Sequence, residues 1–172
     1  MGWLVVAVVF IVLLAVWITW TANRIDRLFG RVEAARASLD AQLVRRSASA
    51  QALADEDAAA LGEPLAGRLR VAARAALAAD DAGREAAEND LGRTLIELER
   101  TSLERQRLTE LREAATRVGI SRRFYNDAVR DLRGLQGQRM PRLLRLGPRR
   151  PIPAFFEIDD RVWTSSEREL RS

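Results

Sequence analysis

The chain contains no cysteine and no histidine, and every one of its 28 basic residues is arginine. Without a thiol or an imidazole there is no thiolate nucleophile, no redox pair, no imidazole base and no structural zinc site. A di-metal carboxylate bundle built on Glu-x-x-His pairs is excluded for the same reason, and so is lipoprotein-type lipidation. Glycine (10 residues) and proline (5) are scarce, and β-branched residues are few after Ile18, so helix is favoured almost throughout and no strand is expected. The all-arginine basic set fits a GC-rich coding bias and carries little functional information. The remaining absence is of charge: residues 1–20 hold none, and residues 3–18 are apolar without interruption.

That apolar run has the length of a membrane span. At about 1.5 Å per residue, eighteen residues reach roughly 27 Å, close to the hydrocarbon thickness of a bilayer. A cleaved secretory signal would carry Lys or Arg before the run and a small-x-small site after it; neither is present, and Thr19, Trp20 and Thr21 make a poor cleavage site. A retained anchor over residues 1–22 is therefore expected. Trp3, Trp17 and Trp20 stand near its ends, where indole rings favour the interface. Arg24, Arg27, Arg31 and Arg36 follow it, which predicts a single-pass cell-membrane protein with its N-terminus outside and its C-terminal body cytoplasmic.

The body, residues 23–136, has the periodicity of packed helices. Leu28, Val32, Ala35, Leu39 and Leu53 form a seam on a first helix that should run to about Ala60, where Gly62, Glu63 and Pro64 give a stop and a restart. Leu65, Leu69, Ala72 or Ala73, Ala76 and Leu77 mark a second helix ending at the Asp80, Asp81, Ala82, Gly83 turn, and Leu91, Leu95 and Leu98 a third. Thr101 with Glu104 has capping-box spacing and places a break there. Beyond it Leu108, Leu111, Ala115, Val118, Arg122, Tyr125, Val129 and Leu132 keep one phase, which predicts a single long helix through Gly119, although Ser121 offers an alternative cap. The expected fold is all-α: one N-terminal transmembrane helix followed by an antiparallel four-helix bundle.

Residues 137–172 form a basic, Pro- and Gly-punctuated tail, in part disordered, with Phe155, Phe156, Ile158 and Trp163 around acidic residues and a polar last stretch. With short connections the helices alternate direction, about 84 Å outward against about 77 Å back, so the last helix should finish near the membrane. This would set Arg139, Arg142, Arg145, Arg149 and Arg150 beside lipid headgroups, each contributing on the order of 1 kcal/mol on an anionic leaflet, with Leu143, Leu144 and Leu146 able to insert. A solvated linker is the plainer reading of the same arginines. Nucleic acid is not an expected partner, because the cluster has no reading module or stacking platform.

Two stretches together resemble the LemA family of membrane-anchored bacterial proteins. Residues 32–46, VEAARASLDAQLVRR, are similar to that family's segment of an acidic residue, Ala, Trp and then Ile-Asp-Val-Gln-Leu-Lys-Arg-Arg; residues 122–131, RRFYNDAVRD, are similar to its Ala-Arg-x-x-Tyr-Asn-x-x-Val motif. Phe155, Phe156 and Glu157 resemble its C-terminal Phe-Phe-Glu. The chain has Arg36 where Trp is usual, and 47–54 differs from the expected Leu-Ile-Pro-Asn-Leu-Val stretch. The resemblance implies a four-helix bundle on one span and implies no reaction.

Arg122 falls on the inward phase of the last helix, and a buried guanidinium needs a carboxylate. Counting from the membrane sets it near Glu33 and Asp40, so a polar layer of Arg122 with Asp40 or Glu33, completed by Gln42, Tyr125 and Asn126, is expected either to fix helix register or to line a functional groove. Asp127 and Asp131 read as surface partners of arginines, and Glu85, Glu88, Glu97, Glu99, Glu104, Glu110 and Glu113 as a solvated face. No catalytic residue, metal ligand or cofactor is predicted. The expected function is a non-enzymatic membrane-tethered scaffold or adaptor for another membrane or envelope protein, or for itself. The alternatives are a lipid-organising protein whose Arg cluster, Phe155, Phe156 and Trp163 engage the leaflet, and, further off, a carboxylate-based enzyme.

Overall fold

The computed structural model describes residues 1–99, 105–136, 151 and 153–159. Among these the chain is all helix, turn and irregular backbone: α1 Gly2–Glu56, α2 Ala58–Leu61, α3 Glu63–Ala78, α4 Arg84–Glu99 and α5 Arg105–Gln136. Helix α1 contains no proline and runs 55 residues without interruption. It ends earlier than the expected Ala60: the backbone bends at Asp57, whose N–H still reaches the Leu53 carbonyl at 3.0 Å, and α2 makes one further turn. Gly62 then adopts φ 77° and ψ 139°, a conformation open to glycine and strained for other residues, and Pro64 occupies the first turn of α3. The Asp80 carboxylate accepts the Gly83 N–H at 2.9 Å, tightening the turn into α4, while Arg84 donates to the Ala76 carbonyl at 3.1 Å and satisfies the end of α3.

The long-helix expectation for α5 holds, since the helix passes through Gly119 and Ser121 unbroken. The break expected at Thr101 and Glu104 lies outside the described residues, as do the arginine cluster, Trp163 and the polar terminus.

The chain separates into two compact units, Met1–Arg36 with Tyr125–Phe155, and Ala37–Phe124 with Phe156–Ser172. In the first, α1 buries Thr21, Ile25, Phe29 and Val32, and α5 buries Tyr125, Ala128, Val129 and Leu132. The helices run antiparallel there: Arg31 lies 3.7 Å from Asp131, and the Arg36 guanidinium sits 5.7 Å from the centre of the Tyr125 ring, so rising numbers on one match falling numbers on the other. Before Thr21 the pattern stops. Val and Leu side chains face outward all round the helix, with Leu4, Val6, Phe10 and Leu13 each more than 60% exposed.

In the second unit one buried cluster joins Ala50, Leu53 and Ala54 of α1, Leu61 of α2, Ala66, Leu69, Ala73 and Ala76 of α3, Leu91, Leu95 and Leu98 of α4, and Leu108 and Leu111 of α5. The alanines of α3 form a low ridge that lets α4 approach closely. Arg68 pairs with Glu97 at 2.5 Å across this antiparallel hairpin. Leu77, expected on the inward seam, is exposed, because the stripe through Leu69, Ala73 and Ala76 places it off the buried face.

Candidate functional site

The residues expected to form a polar layer are spread across both units. In the first, Tyr125 is fully buried and its hydroxyl donates to the Ala154 carbonyl at 2.9 Å. Asn126 is half-buried and Glu33 is exposed. Arg133 donates to the Pro153 carbonyl at 3.2 Å and covers the Phe155 ring at 4.3 Å from its centre, so α5 grips residues 153–155 from two positions two turns apart. In the second unit Asp40, Gln42 and Arg122 are half-buried. Trp3 and Trp20 are exposed and Trp17 half-buried, with the Arg24 guanidinium 5.7 Å from the Trp20 ring.

The most buried charges in the described structure are elsewhere. Arg46 of α1 and Glu88 of α4 form a salt bridge with side chains 4% and 0% exposed, and the same guanidinium lies 3.4 Å from the Glu88 carbonyl oxygen. This corrects the expectation that Glu88 belongs to a solvated face. The physical reason is phase: Leu39, Leu43, Arg46, Ala50 and Leu53 step by four and three along α1, while Glu88, Leu91, Leu95 and Leu98 step by three and four along α4, and both stripes are buried. Ser47 is buried beside Arg46 in sequence, and its hydroxyl, Arg46 Nε, Glu88 Oε1 and Gln42 Oε1 find no hydrogen-bond partner among the described residues. Desolvation raises the Glu88 pKa above the ordinary glutamate range, with Arg46 and then Arg84 opposing it.

Such a pair is costly to desolvate and costlier to break, so its effect is to hold α1 and α4 in one register. A surface counterpart has the opposite character. Asp55 accepts from Arg70 Nε at 2.6 Å, a contact that lowers the aspartate pKa and raises that of the arginine, in a setting where water competes for both groups.

Residues 156–159 occupy a second ordered site. The Glu157 N–H donates to Glu85 at 3.0 Å and the Asp159 N–H to Asn89 at 2.9 Å, while Phe156 and Ile158, which alternate with them, are buried. Phe156 is thereby committed to the protein interior and withdrawn from the leaflet contact expected of it. The sequence signal for this site was the apolar-acidic alternation of Phe156, Glu157, Ile158 and Asp159, which is the pattern of backbone with one buried side.

An open cleft of about 430 Å³ lies along the end of α1, lined by Ala48, Ala52, Leu53, Glu56, Asp57 and Glu110 among others. No grouping of three or more acidic side chains suited to a metal ion occurs among the described residues. No protein-family model, curated protein or solved structure matches the chain.

Proposed function

We propose that this chain is a membrane-tethered scaffold or adaptor of the LemA kind, a helical bundle carried on one retained N-terminal span, with its body cytoplasmic. The observation that carries the reading is the continuity of α1. Its first turns expose apolar side chains on every face, and the same helix, without a break, buries Thr21, Ile25 and Phe29. Signal cleavage near residues 19–21 would cut through a continuous helical ladder at the point where its packed stretch begins. A surface of exposed Val, Leu, Ile and Phe on every side of a helix is stable in lipid and a liability in water.

Antiparallel pairing supports the return of the last helix toward the membrane. With Asp131 level with Arg31, α5 has come back to roughly 17 Å along the axis from Trp20, and five further residues of helix follow. A scaffold also accounts for sealing the most buried charges into the interior, where they set helix register and present no reactive group.

The test is alkaline carbonate extraction of membranes carrying the full chain, combined with cysteine labelling from each side. The natural chain has no thiol, so single variants Gly2→Cys and Ser172→Cys report unambiguously. Retention in the pellet, with labelling of position 2 from outside and position 172 only after permeabilisation, is the expected result. A chain that is released by carbonate, or shortened at its N-terminus, overturns the reading.

A further inference from the structure

The contacts of residues 156–159 with α4 have a regular geometry. Two residues of extended backbone advance about 6.6 Å, and four residues of α-helix about 6.0 Å. The step from Glu157 to Asp159 therefore matches the step from Glu85 to Asn89, and each backbone N–H meets a side-chain oxygen one helical turn further along. The stripe continues at Gly92, where a Cβ would stand 3.7 Å from the Asp159 carbonyl oxygen, so the tail passes close over a position without a side chain. Phe156 and Ile158, alternating with the bonded residues, are 4% and 8% exposed. Bonds to alternate main-chain groups, with burial of the side chains between them, are the means by which proteins bind extended peptides.

We infer that the Glu85, Asn89 and Gly92 face of α4 is a peptide-binding groove, filled in one molecule by its own residues 156–159, and that a second copy of this chain fills it with the same residues by reciprocal exchange. The occupant is identified by the structure itself, since the segment seated in the groove belongs to this chain and comes to it through a connection of sixteen residues, 137–152, that contains Pro141, Pro148 and Pro151. A contact made within a chain through such a connection can be made between two copies when residues 153–155 leave Tyr125 and Arg133 of their own α5 and exchange with it as one segment. The closed form acts as a competitor with an effective concentration on the order of millimolar, so exchange grows with crowding and is slight in dilute solution. The inference rests on the scaffold reading in one respect, that confinement to a bilayer supplies the crowding.

The absence of natural cysteine gives a direct test. Full-length chains carrying Gly92→Cys alone and Asp159→Cys alone are reconstituted together in liposomes at increasing protein-to-lipid ratio and oxidised with copper phenanthroline, beside the double variant. The double variant is expected to close within one chain at low density, and the mixture to give a covalent dimer whose yield rises with density. Adding Ile158→Asp should lower the dimer yield about tenfold or more, the loss expected for one buried isoleucine side chain. Closure of the double variant with no dimer in the mixture at any density overturns exchange; failure of both overturns the groove. Should Gly92→Cys disturb packing, Glu85→Cys with Glu157→Cys, joined by a short bis-maleimide, gives the same distinction. Repeating the mixture in detergent micelles at high protein concentration separates the two readings: dimer there with loss of membrane retention removes the anchor and leaves the groove, and retention without dimer does the reverse.

Discussion

The two ends of α1 are built from the same hydrogen-bond ladder and differ in how their apolar side chains are placed and covered. Over residues 3–18 the apolar side chains point in every direction and none of the eighteen-residue apolar window is buried within the protein. Between Ile25 and Ala54 the apolar side chains collapse to a stripe, Ile25, Phe29, Val32, Leu39, Leu43, Ala50 and Leu53, with arginines and acids around the remainder. Both halves are helical although the first is rich in β-branched Val and Ile; what separates them is the angular distribution of apolar residues. In one half the apolar side chains lie uncovered by this chain, and in the other the chain itself covers them.

The comparison is broken most severely at the exposed end. Val9→Arg with Leu13→Arg puts two guanidinium groups one turn apart near the middle of the run, at a cost of about 2.5–3.5 kcal/mol each on an insertion scale. The double variant is expected to leave the carbonate-resistant pellet almost completely while keeping its helical circular dichroism. Next comes the buried charge of the packed end. Glu88→Ala strands Arg46 and should lower unfolding free energy by about 3–5 kcal/mol, whereas Arg46→Met with Glu88→Leu should be neutral or stabilising by up to about 4 kcal/mol in the same denaturant titration.

Leu39→Ala, a fully buried position, should cost about 2–5 kcal/mol. Leu13→Ala, with the same chemistry at an exposed position, should leave the unfolding of the body unchanged, so the pair measures the difference between the two ends directly. The smallest effects are in pH. The folded chain holds the Glu88 proton more tightly than the unfolded chain does, so stability falls as pH climbs from the ordinary glutamate range to the raised value and then levels. Glu88→Gln removes that slope. Asp55 acts in the opposite sense and weakly, its contribution present above the ordinary aspartate range and lost as pH falls through its lowered value.

Much of the fold was legible because it depends on periodicity. The stop at Gly62 and Pro64, the Asp80 to Gly83 turn and the unbroken phase of α5 were each set by local chemistry: a positive φ, a carboxylate capping a turn, and steps of three and four that outweighed one glycine. The interior charges were harder to place. Glu88 sits among Glu85, Asp90 and Glu97, and by composition that neighbourhood reads as wet; only its alignment with Leu91, Leu95 and Leu98 marks it as buried. The same phase reasoning that drew attention to Arg122 on α5 applies on α1, where it carries Arg46 into the interior twenty-one residues after Ile25. The alternation of residues 156–159 marks one buried side, but where that side docks was illegible, because its partners, Glu85 and Asn89, are about seventy positions away and contribute only side-chain oxygens.

The continuity of α1 from its apolar run into the packed stretch that ends at Val32 has a mechanical consequence. A span joined to its payload by a flexible linker can lean in a thinner or thicker bilayer and leave the payload undisturbed. If residues 3–18 cross a bilayer as proposed, any lean imposed by the lipid passes along an unbroken helical ladder to Phe29 and Val32, which belong to the same compact unit, and bilayer thickness becomes a setting for that packing.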